Sequence, residues 1–257
     1  MTDDVAAGPP GRSPALARLW EVNGGRGRTS PPARVGLSVQ RVVQAALELA
    51  DADGLEAVSM SRVADRLGFA TMSLYRHVAS KDDLLLLMHD TAWRAPDEPI
   101  TDSGDRWRAG LTQWTSEQHQ LLRAHPWLEQ IRLGERAGTP SHLTWIDRGL
   151  QALTGTPLRE RDKVELLLLL NGYVFWEARF YAEAVQTPVL PGVSGAPSPV
   201  GAAMRAVVDA DRFPALRRSV DAGAFDEPPD RYADFVSGLD RILDGIASLV
   251  ARRAASG

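Results

Sequence analysis

Residues 59–78, SMSRVADRLGFATMSLYRHV, constrain the fold more than any other stretch of the sequence. Ser59 belongs to the residue types that cap helix starts by accepting a free backbone N–H. Val63 and Leu67 follow one turn apart, which predicts a short helix with one buried face. Gly68 supplies the left-handed backbone that commonly ends a helix. The first half of this stretch is therefore expected to be a short helix closed by a tight turn.

A second short helix is expected directly after that turn. Thr71 is a second cap candidate, and Leu74 and Val78 repeat one turn apart. The side chains left on the outer face are of types suited to base edges and phosphates: Met72, Ser73, Tyr75 and Arg76. Two such helices form a helix-turn-helix, a unit whose second helix lies in the major groove of DNA.

The charge and composition permit this interpretation. A net charge of −4 argues against a uniformly basic protein that coats nucleic acid, yet residues 12–41 hold six arginines and one acid. With no cysteine, disulfides and thiolate metal sites are excluded. No signal-like stretch begins the sequence, and the longest wholly apolar run, 166–170, is too short for a bilayer. We expect a soluble, cytoplasmic protein.

The chain divides into a tail, a small head and a larger body. Residues 1–35 are rich in Gly, Pro and Arg and are expected to be disordered, apart from a possible helical turn at Leu16, Leu19 and Trp20. Residues 36–95 are predicted to form a three-helix DNA-binding domain followed by a fourth helix from Lys81 to about Arg94. Ser38 and Ser80 are expected to cap the first and fourth helices, and Gly54 to end the first. Residues 105–253 are predicted to form a helical body.

Every segment of the body has helical periodicity, and none has the alternation of a strand. The longest predicted helix spans 159–184, the last spans 229–252, and two shorter helices are expected between 200 and 220. A proline-rich loop is expected at 186–200. The predicted fold is therefore all-α.

Residues 38–94 resemble the DNA-binding domain of the tetracycline-repressor (TetR) family of bacterial regulators. The resemblance lies in the Ala-Asp-Gly-Leu end of the first helix, the Leu-Gly-Phe turn, and Met-Ser-Leu-Tyr-Arg-His-Val followed two residues later by Lys81. The string 235–246 resembles the ligand-binding domain class of the tetracycline repressor itself. The resemblance implies a homodimer that binds a palindromic operator on double-stranded DNA and is released by a small-molecule effector in the body.

The resemblance also assigns DNA-contacting residues. Base contacts fall on Thr71, Met72 and Tyr75, and phosphate contacts on Ser61, Ser73, Arg76 and Lys81. Alternatives remain for several positions. Thr71 is equally suited to capping its helix, Tyr75 to packing on its own domain, and Arg62 and Arg66 to a solvated face. Arg26, Arg28 and Arg34 form either a DNA-binding arm or an untethered charged tail.

The effector pocket is expected among aromatic and polar residues of the body, with plain core packing as the alternative for each tryptophan. The candidates are Trp107, Trp114, His119, Trp127, Trp145, Asn171, Tyr173 and Trp176. No histidine pattern indicates a metal site, and no cofactor is expected. The family's drug-holding histidine after the fourth helix is replaced by Pro96-Asp97-Glu98, which argues against tetracycline as the effector.

The dimer interface is expected on the long helix 159–184 and the final helix 229–252. Its predicted residues on the final helix are Phe235, Leu239, Ile242, Ile246 and Leu249. The same apolar stripe serves equally as ordinary core in a monomer.

A ligand-responsive repressor is favoured, and an activator or an effector-independent regulator is the alternative. An enzyme is not expected, because the sequence has no Gly-rich phosphate loop, nucleophile elbow, metal cluster or recognisable carboxylate pair.

Overall fold

The structure is a computed structural model that describes residues 16–17, 19–20, 36–100, 107–131, 138–186, 199–226 and 231–256. From residue 36 onward the described residues form ten α-helices, and no β-strand occurs in any described part of the chain. The helices are α1 (Val39–Asp53), α2 (Met60–Leu67), α3 (Thr71–Leu74), α4 (Lys81–Ala92), α5 (Trp107–Ala124), α6 (Pro140–Ala152), α7 (Glu160–Gln186), α8 (Pro199–Val207), α9 (Pro214–Asp221) and α10 (Arg231–Ala254). The predicted all-α fold is confirmed.

Local sequence rules set the ends of the head's helices. The Ser38 side chain accepts the backbone N–H of Arg41 at 3.3 Å, and Gly54 ends α1 with a φ of +83°. Ser80 caps α4 in the same way, accepting the N–H of Asp83 at 3.0 Å. These short-range contacts need only the residues beside them, which is why the sequence predicts them well.

The helix-turn-helix forms as predicted, with one correction. Ser59 caps α2, and Gly68 ends it in the left-handed conformation at φ +73°. Leu74 and Val78 are fully buried and anchor the second half of the motif to the head. The cap role considered for Thr71 is wrong, because Ala70 occupies the cap position and no side-chain cap bond forms there.

Four helices of the body surround one apolar core. Helix α5 packs on both α6 and α7, and α10 packs on α7. Helices α8 and α9 match the two short helices predicted between residues 200 and 220. Most of the predicted 186–200 loop lies outside the described residues.

An ion cluster ties the start of α7 to the end of α10. The Asp162 carboxylate accepts hydrogen bonds from Arg159 (2.8 Å) and from Arg253 (3.0 Å). Hydrogen bonds from Arg159 hold the pKa of Asp162 well below its usual value, with Arg253 adding to the effect. The carboxylate therefore stays ionised and joins the ends of these two helices.

Part of the tail contacts the body. Leu16, Ala17, Leu19 and Trp20 are helical, Leu19 is buried, and the Trp20 indole donates to the Gly138 carbonyl at 3.1 Å. The expectation of disorder is therefore wrong for these four residues, while the predicted helical turn is present. The rest of residues 1–35 lie outside the described part of the chain.

Candidate functional site

The second half of the helix-turn-helix presents two large side chains to solvent. Met72 is 72% exposed and Tyr75 is 44% exposed, although side chains of this size are usually withdrawn from water. Leu74, between them in sequence, is fully buried and fixes the orientation of α3. Helix α3 is thus held in one orientation, and its outer face is free to contact a partner.

The predicted phosphate-contacting residues surround this face. Arg76 is exposed in the turn after α3, and Lys81 is exposed at the first position of α4. Ser61 is exposed near the start of α2, with its hydroxyl oxygen 3.1 Å from that of Ser59. Thr71 and Ser73 are half-buried. All seven residues lie within or beside the helix-turn-helix.

The two arginines of α2 are bound to acids of α1. Arg62 lies 2.7 Å from the Asp53 carboxylate, and Arg66 lies 2.9 Å from that of Glu48. Hydrogen bonds from Arg66 lower the pKa of Glu48. These pairs match the solvated-face alternative for both arginines, whereas Arg26, Arg28 and Arg34 fall outside the described residues.

Three tryptophans of the predicted pocket use their indole N–H groups within the protein. The Trp114 N–H donates to the Trp145 carbonyl at 2.8 Å, and the Trp145 N–H donates to the Trp93 carbonyl at 2.7 Å. Trp127 donates to the Asp51 carboxylate at 2.7 Å. Their rings are buried. The three tryptophans therefore belong to the core and join neighbouring helices. This is the core-packing alternative that the sequence left open for each tryptophan.

The two other tryptophans among the pocket candidates have different surroundings. Trp107 is half-buried and packs against the core. Trp176 is 59% exposed on the outside of α7, stacked on Phe180 with ring centroids 5.4 Å apart. The Trp176 side chain therefore faces away from the core of its own protomer, and its assignment to the effector pocket stays a prediction.

His119, Tyr173 and Phe235 bring α5, α7 and α10 together. The His119 ring stacks on Phe235 with centroids 4.0 Å apart, and Tyr173 stacks on Phe235 with centroids 5.7 Å apart. The Tyr173 hydroxyl donates to the Phe235 carbonyl at 2.9 Å. Burial, helped by Glu177, raises the pKa of Tyr173 to about 12, so this hydroxyl stays protonated.

His119 is a neutral, buried histidine with an unused nitrogen. Burial, together with the nearby positive charge of Arg123, lowers the pKa of His119 to about 4. Its Nδ1 has no hydrogen-bond partner among the described residues. Beside it in sequence, Gln118 accepts a hydrogen bond from Asn171 at 3.0 Å. The structure therefore gathers His119, Asn171 and Tyr173 at the contact of α5 with α7 and α10.

The predicted interface residues of α10 need correction. Phe235, Leu239 and Ile246 are buried in the core of their own protomer, while Ile242 and Leu249 are half-buried against it. The first three residues cannot contact a second copy while that core is intact. The sequence could not show whether these residues form a core or a dimer interface, because a stripe of apolar residues suits both equally.

A junction between head and body was missed by sequence reasoning. The Asp51 carboxylate on α1 accepts the Trp127 N–H and lies 2.7 Å from His125 Nδ1. The head is therefore bound directly to the segment that follows α5. The partners are more than 70 residues apart in sequence, and no local pattern links them.

Within the described ranges, no cluster of three or more histidines and carboxylates could hold a metal ion. No helix in the described part of the chain is long and apolar enough to cross a bilayer.

Two family models match this chain. Residues 42–88 match "Bacterial regulatory proteins, tetR family", and residues 98–250 match "Tetracyclin repressor-like, C-terminal domain". The first covers the helix-turn-helix and the second covers more than half of the chain.

Relatives cover nearly the whole chain. It is 37% identical over 242 residues to the HTH-type transcriptional repressor DrrR1 of Streptomyces coeruleorubidus, covering 93% of this chain and 86% of that protein. It is 29% identical over 213 residues to the class A tetracycline repressor from transposon 1721 of Escherichia coli, covering 82% and 91%. Apo ActR from Streptomyces coelicolor superposes with a TM-score of 0.68 at 26% identity, covering 88% and 100%. ActR in complex with actinorhodin gives the same TM-score and identity, covering 84% and 99%.

The resemblance seen in residues 38–94 thus extends through the body. The chain belongs to the tetracycline-repressor family and is a DNA-binding transcriptional regulator, not an enzyme.

Proposed function

We propose that this protein is a transcriptional repressor that binds a palindromic operator as a homodimer and is released by a small-molecule effector. The assignment of the DNA-binding surface rests on the exposure of Met72 and Tyr75, which lie beside buried Leu74 that anchors the helix. The names of two relatives, DrrR1 and the class A tetracycline repressor, support the direction of regulation.

Met72 and Tyr75 are proposed to contact base edges. A methionine side chain packs on a thymine methyl, and a phenol hydroxyl bonds a base edge or a phosphate. Arg76 and Lys81 are proposed to bind phosphates on either side, together with Ser61 and Ser73, while Thr71 is proposed to share the base contacts. Phosphate contacts set the register of the protein on DNA, so that the base contacts can select a sequence.

The homodimer is proposed to form through the exposed face of α7. Five large apolar side chains, Val164, Leu168, Leu169, Trp176 and Phe180, are exposed on this helix. Single exposed apolar residues are common, but five large ones on one helix indicate an interaction surface. Val236 of α10 is also exposed and is proposed to join the interface in place of the buried positions of that helix.

The effector is proposed to bind beside His119, Asn171 and Tyr173. A buried nitrogen without a partner costs free energy, and a ligand that donates a hydrogen bond to His119 Nδ1 would remove that cost. Neighbouring aromatic rings suit a flat ligand. The solved complex of ActR with actinorhodin makes actinorhodin a suitable first probe for this site.

The test measures binding to the promoter region of the protein's own gene. We expect a specific complex by fluorescence anisotropy, weakened roughly tenfold or more by Tyr75→Ala, because a good base contact contributes about 1–3 kcal/mol. Phe213→Ala, which removes an exposed aromatic side chain just before α9, is the control. A Tyr75→Ala variant that binds as tightly as the wild type would remove Tyr75 from the interface.

A reporter gene driven by the same promoter tests the direction of regulation. Expression should rise when the regulator gene is deleted and fall when it is restored. The opposite response would identify an activator.

A further inference from the structure

Two side chains of α6 hold the end of the head's last helix. The backbone N–H of Ser141 donates to Asp90 Oδ1 at 2.8 Å, and the Ser141 hydroxyl donates to the Asp90 carbonyl at 2.7 Å. One turn further along α6, the indole N–H of Trp145 donates to the Trp93 carbonyl at 2.7 Å. Asp90 lies in α4, and Trp93 is the first residue after this helix. The chain that leaves the head therefore runs along α6.

Arg148 makes the next contact on the same face of α6. Its Nη1 donates to the carbonyls of Pro96 at 2.8 Å and Glu98 at 2.5 Å. Positions 141, 145 and 148 lie three or four residues apart, which places them on one side of the helix. We define residues 93–98 as the connector, since they join α4 to the body and are held by α6.

Arg148 also binds α5. Its Nη2 lies 2.8 Å from the Glu117 carboxylate, and the Arg148 side chain is only 7% exposed. The other oxygen of Glu117 accepts a hydrogen bond from Gln113 at 2.8 Å. A planar guanidinium can bind several acceptors at once in fixed directions, which an ammonium group cannot do. One buried side chain therefore joins α5, α6 and the connector.

The position of Glu117 on α5 makes this contact relevant to regulation. His119 lies two residues further along the same helix, and side chains two positions apart point to opposite sides of a helix. One side of α5 faces α7 and α10 through His119, and the other faces the connector through Glu117 and Arg148. A shift of α5 would thus displace the carboxylate that holds Arg148.

We propose that Arg148 is a positioning residue that fixes the DNA-binding head on the body by joining the connector to α5 and α6. Its effect on operator affinity rests on the proposed DNA-binding function. The positioning part rests on the contacts of Arg148 alone.

The test replaces Arg148 with methionine in the full-length protein. Hydrogen exchange measured by mass spectrometry should be at least tenfold faster at the amides of Trp93 and Arg94, the hydrogen-bonded N–H groups that open the connector, with α1 and α2 unchanged. Operator affinity, measured well below the melting temperature, should fall at least fivefold, because the heads are no longer held in one arrangement. Arg217→Met, which removes an arginine of α9 paired with Asp221, is the control and should change neither quantity.

Glu117→Met separates the two contacts of Arg148. The double variant with Arg148→Met should bind the operator no more weakly than Arg148→Met alone, because both changes break one connection. Arg148→Lys should give intermediate values, and it replaces Arg148→Met in the test if that variant does not fold.

Exchange and affinity within twofold of the wild type would overturn the proposal. Faster hydrogen exchange in the Arg148→Met variant with unchanged operator affinity would overturn the claim that Arg148 fixes the arrangement of the heads for DNA binding. If the wild type itself binds no operator, the proposed function fails, and hydrogen exchange at Trp93 and Arg94 alone decides the positioning role.

Discussion

The carboxylate of Asp90, in the last helix of the head, accepts the backbone N–H of Ser141, the second residue of α6 in the body, at 2.8 Å. The first N–H groups of a helix have no partner within it. Thr139, the cap residue of α6, accepts the N–H of His142 at 3.3 Å, and Asp90 supplies the acceptor for Ser141. The start of a body helix is therefore completed by a side chain of the head.

Replacing Asp90 with alanine should destabilise the protein by about 1–3 kcal/mol, because a buried N–H at the start of α6 loses its acceptor. Asp90→Asn retains an acceptor oxygen and should cost less. Urea unfolding followed by circular dichroism gives both values. Asp97→Ala, at an exposed position of the connector, should change stability by less than about 0.5 kcal/mol. Equal losses for Asp90→Ala and Asp97→Ala would contradict this role.

His119 should make stability depend on pH between about 4 and 6.5. Its pKa is about 4 in the folded protein, below the ordinary value of 6.5, so the unfolded chain binds more protons in this range. Stability contributed by the neutral ring is complete above pH 6.5 and is lost as the pH falls towards 4, by up to about 3 kcal/mol.

The variant His119→Phe isolates this contribution. A phenyl ring preserves the stacking on Phe235 but does not titrate, so the difference between wild type and variant should grow in the variant's favour as the pH falls. Thermal unfolding at pH 7.5, 6, 5 and 4.5 measures the difference. Parallel curves for the two proteins would show that His119 does not titrate on unfolding.

The exposed face of α7 should control assembly. Leu168→Glu places a charge in the apolar face and should convert a dimer to a monomer in sedimentation velocity at micromolar concentration. Leu143→Glu, an equivalent change at an exposed leucine of α6, should leave the assembly unchanged. A monomeric wild type, or a dimeric Leu168→Glu variant, would exclude this face as the interface.

Gly149 permits the close approach of α5, α6 and α7. A Cβ atom at this position would lie 2.7 Å from Leu167 Cδ2 and 2.9 Å from Trp114 Cε2. Gly149→Ala should therefore destabilise the protein by about 1–3 kcal/mol in urea unfolding, despite the better helix propensity of alanine.

The combination with Leu167→Ala tests the cause. Removing the leucine methyls makes room for the new Cβ, so the double variant should lose clearly less stability than the sum of the two single losses. An additive loss would mean that the cost of Gly149→Ala lies elsewhere.

The parts of this structure that depend on neighbouring residues were predictable. Ser38, Ser59 and Ser80 cap the predicted helices, and Gly54 and Gly68 end them, because each acts within one turn of its own position. Helix α4 ends at Ala92, two residues earlier than expected. The carbonyl of Trp93 is taken by Trp145, a residue 52 positions away that the local sequence does not reveal.

Contacts between distant residues limited the prediction of the candidate site. Phe235 and Trp176 are both large aromatic residues on mostly apolar helices, yet one is core and the other is exposed. Which of the two faces outwards depends on how α5, α7 and α10 pack together. Asp90 gave a partial indication, since an acidic residue at the end of the apolar run Leu84–Met88 requires a partner if it is buried.

The pairing of Arg62 with Asp53 and of Arg66 with Glu48 has a consequence for how the protein finds its site on a chromosome. Cations already balanced by carboxylates displace few counterions from DNA, so these two arginines should add little to association with arbitrary sequence. The salt dependence of DNA binding should then reflect mainly Arg76 and Lys81, which are exposed beside the helix-turn-helix.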